Sequence, residues 1–191
     1  MPGKPIAILT FTLLLALCGC TGKSEPPRAS ESKAAARPSL STSRQSSLSC
    51  NDGGLATPDT SAKPLTIDGV VFERLGASES TFKLPQLDGF YFLKSPVYLP
   101  AGAAAITLET LNPEEAGLAW VPAAVWTAGR DFEISDYAAA KVTFQGCPDK
   151  AVAYFGGLLL TKPALCTALR LGREGLSDVT ISTAAGQIKC G

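Results

Sequence analysis

From Cys50 to the C-terminus the chain repeats one pattern. A short apolar or alternating run is followed by a break of Gly, Pro, Asp or Asn. Such runs, recurring about every ten residues with little helical periodicity, describe an all-β fold. The expected architecture is a disulfide-stapled β-sandwich (Ig-like), with a β-barrel as the alternative. Leu65–Ile67, Asp68-Gly69 and Val70–Phe72 read as a tight hairpin, because Asp-Gly suits the positive φ of a type I′ turn. Further strands are expected over 90–99 (broken at Pro96), 105–111, 117–127 (interrupted at Pro122), 141–144, 152–161 (bent at Gly156-Gly157), 168–171 and 179–182. Single helical turns are expected within 113–119 and 136–140.

The N-terminus has a different texture. Lys4 precedes an almost unbroken apolar run from Ile6 to Leu17. Twelve residues are too few for a membrane-spanning helix, which needs about 20, but suit the apolar region of a signal peptide. The run ends in Leu17-Cys18-Gly19-Cys20, with a small residue just before Cys20 and an aliphatic residue three before it. This resembles the lipobox of bacterial lipoproteins. The resemblance implies cleavage after residue 19, lipidation of Cys20 and a membrane anchor. Thr21, where many enteric lipoproteins kept at the inner membrane carry aspartate, is compatible with the outer membrane in a Gram-negative host; otherwise the outer face of the cell membrane is implied.

Residues 21–49 contain nine Ser, four Ala, three Pro and one Gly, with Leu40 and Leu48 the only large aliphatics. A segment so poor in apolar surface cannot offset its ordering entropy, so 20–49 reads as a lipidated cysteine with a disordered linker. The domain is expected over 50–191, its core strands mainly over 65–186. The linker holds five basic and two acidic residues and the domain 11 basic and 15 acidic, so the neutral whole conceals opposite charges. That balance gives no electrostatic case for nucleic acid.

The chain has no histidine. This removes Ser-His-Asp and Cys-His nucleophile systems, HExxH zinc sites and an imidazole base. Six cysteines in an exported chain point instead to disulfides. With Cys18 removed and Cys20 lipidated, Cys50, Cys147, Cys166 and Cys190 remain for two bridges. Cys147 and Cys166 bracket the apolar strand 152–161 and are the favoured pair, leaving Cys50 with Cys190 to tie the domain's ends. The elements Gly146-Cys147-Pro148, Phe155-Gly156-Gly157-Leu158 and Pro163 with Cys166 are similar to a pattern in small exported β-domains of bacterial proteins of unknown function. That resemblance implies export and a β-fold, and no activity.

Three groups are candidates for a site. Trp120 and Trp126 are six apart, so in one continuous strand, unbroken at Pro122, both share a face and can stack on sugar rings; two core aromatics are the favoured reading. Asp131, Glu133 and Asp136 are hard oxygen groups that could serve calcium, but the EF-hand loop's glycine and terminal glutamate are absent, so the expectation is no metal and a solvated polar strand edge with Phe132 and Ile134 facing in. Paired carboxylates can hydrolyse glycosides without histidine, and Glu109, Glu114, Glu115, Glu133 and Asp136 are available. No spacing selects a pair among them. No cofactor is expected. The expected function is a non-catalytic, membrane-anchored binding or accessory module for an envelope protein or glycan. The alternatives are a small glycan-active enzyme and a structural accessory.

Overall fold

The computed structural model describes residues 39–40, 43–59, 64–128 and 132–191. The signal segment, Cys20, most of the linker and Asp131 lie outside the described residues. The strands are β1 (Gln45–Leu48), β2 (Leu65–Ile67), β3 (Val70–Phe72), β4 (Glu79–Ser80), β5 (Gln86–Leu87), β6 (Phe90–Lys94), β7 (Val97–Leu99), β8 (Ile106–Thr110) and β9 (Ala116–Val121). The helix α1 (Ala123–Thr127) follows. Then come β10 (Ala138–Ala139), β11 (Lys141–Phe144), β12 (Val152–Leu160), β13 (Leu165–Arg173), β14 (Val179–Ala185) and β15 (Ile188–Lys189). Among the described residues no helix is long and apolar enough to cross a membrane.

The fold is a disulfide-stapled β-sandwich. One sheet has five strands in the order β1-β11-β8-β13-β14. The other has eight, running β10-β9-β12-β7-β3-β2, with β6 beside β7 on the same edge of β12 and β5 paired to β6. β15 and β4 form a separate two-stranded sheet. Both large sheets keep open ends, so the barrel alternative is not realised.

Period-2 alternation builds the core between the sheets. The five-stranded sheet contributes Ile106, Leu108, Val142, Phe144, Leu169 and Ile181. The other contributes Phe72, Val97, Leu118, Trp120, Tyr154 and Leu158. The eight-stranded sheet is also covered outside. Phe90, Phe92, Ala119, Val121 and Leu159 form a second cluster with Leu40, Ile134 and Ala138, and Val125 and Trp126 pack against it. Strands β9 and β12 are thus covered on both faces, which is why they read as continuous apolar runs.

Where a bend at Gly156-Gly157 was expected, β12 runs as one unbroken strand through both glycines. A Cβ on Gly156 would lie 2.2 Å from the Ala119 carbonyl oxygen and 2.7 Å from Trp120 Cγ. One on Gly157 would lie 1.9 Å from the Leu93 carbonyl oxygen. The pair admits the Trp120 indole on one side and the β6 backbone on the other. The break falls in the neighbour: β12 pairs with β7 through Val152–Tyr154 and with β6 through Gly157–Leu160. Ser95 and Pro96 separate the two, and the Ser95 N–H donates to the Gly156 carbonyl at 2.8 Å.

Two expectations need correction. The segment through residue 49 is not all linker. Its two large aliphatics are buried, Leu40 over Gly117 and Leu48 in the main core, and β1 pairs in parallel with β11. The cysteine pairing is also different: Cys50 bonds to Cys147, with Cα atoms 5.2 Å apart, and Cys166 to Cys190, at 5.7 Å. The reason is geometric. Parallel pairing of β1 with β11 brings their C-terminal ends together at Leu48 and Phe144, and Cys50 and Cys147 lie just beyond. Cys147 and Cys166 instead sit beyond opposite ends of the nine-residue β12, whose span is about 30 Å.

Candidate functional site

The two tryptophans are divided by Pro122. Strand β9 ends at Val121, and Pro122, with φ −52° and ψ 136°, stands at the N-cap of α1. Proline has no N–H to contribute to a continuing ladder, and a short helix follows instead. Trp120 points into the sandwich, 1% exposed, in edge-to-face contact with Phe144 at 5.3 Å. It cannot stack on a ligand, so the expectation of two tryptophans on one strand face is not met. Its indole N–H has no partner among the described residues.

Trp126 comes from α1 and lies over the outer face of the eight-stranded sheet. Its ring stacks beside Phe155 of β12, with centroids 6.4 Å apart and planes 19° apart. Phe132 lies 6.1 Å away, and Tyr137 meets Phe132 edge-on at 6.1 Å. Lys94, facing outward from β6, places Nζ 5.6 Å from the Trp126 centroid, a cation–π arrangement. Beside this cluster is a recess of about 220 Å³ lined by Leu87, Asp88, Trp126, Phe132 and Ile134.

The far wall of the recess comes from a hairpin that the sequence reading missed. Asp88 and Gly89 have φ 52° and 81° and join β5 to β6 just as Asp68 and Gly69 join β2 to β3. The Asp-Gly pair was the signal for this turn. It went unread because β5 is only two residues long. The Ser135 N–H donates to Asp88 Oδ2 at 3.4 Å, linking the hairpin to the 3-10 turn Ile134–Tyr137. The recess therefore combines aromatic and aliphatic surface with one carboxylate at its rim.

The acidic candidates do not converge. Glu133 and Asp136 are exposed at the 3-10 turn, Asp131 lies outside the described residues, and no group of three metal-ligating side chains occurs among the described residues. Glu109 stands on the outer face of the five-stranded sheet, 3.9 Å from Lys141 Nζ and 3.6 Å from Arg170 Nη1. Arg170 also approaches Asp178 at 4.0 Å, so both carboxylates share one guanidinium on a shallow surface. Glu115 pairs with Lys162, and Glu114 is exposed.

No protein-family model, curated protein or solved structure matches the chain. The local chemistry of the Trp126 recess therefore carries the functional reading.

Proposed function

We propose that the chain is a lipid-anchored module of the cell envelope that binds a glycan at the Trp126 recess without transforming it. The carrying observation is the meeting of Trp126, Phe132 and Leu87 with Asp88 in one recess. Aromatic edges and faces receive the C–H surface of a sugar, and a carboxylate oxygen accepts its hydroxyls. Glu109 and Glu115, two of the acids that could serve hydrolysis, are engaged by lysine or arginine. The lipobox supplies the anchor: cleavage before Cys20 leaves a membrane-tethered module facing the periplasm or the exterior.

Two variants test the reading. Wild-type protein is expected to fractionate with membranes and to co-sediment with purified insoluble envelope glycan. Cys20→Ala is expected to release it from membranes. Trp126→Ala is expected to weaken glycan binding at least tenfold with unchanged membrane association. Soluble wild-type protein would overturn the anchor, and undiminished sedimentation of Trp126→Ala would overturn the glycan site.

A further inference from the structure

The sandwich carries a second surface, remote from Trp126 in the sheet order. Strand β14 ends the five-stranded sheet and β2 ends the eight-stranded one, and both edges line a groove of about 460 Å³. Its apolar surface comes from Leu65, Ile67, Val179 and Ile181, no charged side chain lines it, and Gly191 also contributes to its wall.

The backbone along this groove has unused hydrogen-bonding groups. Strand β14 pairs with β13 in unbroken antiparallel register from Leu165↔Ala185 to Leu171↔Val179. In such a ladder alternate residues direct N–H and C=O away from the partner strand. The Ala184 N–H points away from β13, donating to the Ala77 carbonyl at 2.7 Å. Ser182 and Thr180 share its phase, so their backbone groups also point outward. Near Ala184 the protein covers its own edge: besides the Ala184–Ala77 bond, the Gly76 N–H donates to Thr183 Oγ1 at 3.0 Å. Thr180 and Ser182 have no such cover among the described residues. On the opposite edge, the two-residue turn makes Ile67 and Val70 the hydrogen-bonded pair and leaves the Thr66 backbone facing outward.

Natural sheets blunt such edges with charge, proline or bulges. Val179-Thr180-Ile181-Ser182 has none of these, and Val179 is 41% exposed. We propose that the open half of β14 is a strand-addition site for an extended, uncharged segment of a partner protein. The segment pairs its backbone with Thr180 and Ser182 and sets alternate apolar side chains over Leu65 and Ile67. Four residues of β14 offer about 13 Å of ladder. A partner strand fits better than a second copy. Joining two β14 edges would satisfy Thr180 and Ser182 but leave each copy's Leu65–Ile67 surface without a strand. The proposal is independent of the glycan reading.

The test is fluorescence polarisation with a labelled, end-capped probe peptide, Gln-Thr-Val-Thr-Val-Thr-Val-Gln, and a control with alternate amide nitrogens methylated. Saturable binding of the first and at least tenfold weaker binding of the control are expected. Thr180→Pro removes an outward N–H without removing a bond to β13, so the fold persists while peptide affinity falls at least tenfold. Val179→Lys serves as the second variant if thermal melting shows that the proline variant is unfolded. Absence of binding, or affinity unchanged in the folded variant, overturns the proposal. Light scattering that finds a dimer abolished by the same substitutions also overturns it, by identifying a second copy as the occupant.

Discussion

At the scale of single residues, two tyrosines, Tyr154 buried and Tyr98 half-buried, link the fold to pH. The Tyr154 hydroxyl shares its one proton between the carbonyls of Ser49 and Gln145, bridging the end of β1 to the end of β11. Burial, with a smaller contribution from the Asp52 charge, pushes its pKa up to about 12. Burial likewise raises Tyr98, which donates to Glu73 Oε1 at 2.7 Å beside that carboxylate's charge. Both folded values lie above the unfolded value near 10. Their stabilisation is therefore complete below about pH 10 and is lost as pH rises toward and past the folded values. Urea midpoints measured between pH 8 and 11.5 are expected to hold steady and then fall. In Tyr154→Phe the alkaline fall becomes shallower; an unaltered slope would contradict a buried neutral phenol at this position.

At the scale of elements, strand β1 is a sharp case, because composition argues against it. Its residues Gln45-Ser46-Ser47-Leu48 belong to a serine-rich stretch, yet Leu48 is 3% exposed. The Ala140 N–H donates to the Arg44 carbonyl and the Gln145 N–H to that of Leu48, both at 2.9 Å. Leu48→Ala is expected to cost about 2–4 kcal/mol, as for other buried leucines, and a chain begun at residue 50 to lose at least as much. Denaturant unfolding of both measures this; a loss below about 0.5 kcal/mol, the usual range for surface substitutions, would mean that the segment is the linker its composition suggests. Local alternation made the larger strands legible: of 105–111, 141–144 and 179–182, all but Ala105 and Leu111 lie within strands. The Asp68-Gly69 hairpin was legible from turn chemistry alone. Asp88-Gly89 carries the same chemistry, but β5 shows too few residues to display a period. The expected strand 117–127 is too long because Pro122 ends β9 and caps a helix rather than interrupting a strand. Trp126 thereby moved from a strand face to the recess, a displacement that no spacing rule anticipates.

At the scale of the whole molecule, the two disulfides close loops of unequal length. Cys50–Cys147 spans 97 residues and Cys166–Cys190 spans 24. The chain-entropy account assigns them roughly 5 and 3 kcal/mol. Replacing both cysteines of the longer bridge by serine is therefore expected to lower stability by more than the same change in the shorter one. Equal losses would count against that account here. The even cysteine count was legible in the sequence, but the pairing was not, because it depends on the parallel register of β1 with β11. The same holds for the recess and for the groove between β2 and β14. Each is assembled from segments far apart in the chain and becomes visible only when the sheet order is known.

The glycan reading meets its most direct test in tryptophan fluorescence. Trp120 is sealed in the core, whereas Trp126 lines the recess and is half-buried. Titration with soluble envelope-glycan fragments is predicted to shift or quench the emission saturably in the wild type and to leave Trp126→Phe, which keeps only Trp120, unchanged. No saturable change in the wild type, or an equal change in Trp126→Phe, would contradict the account.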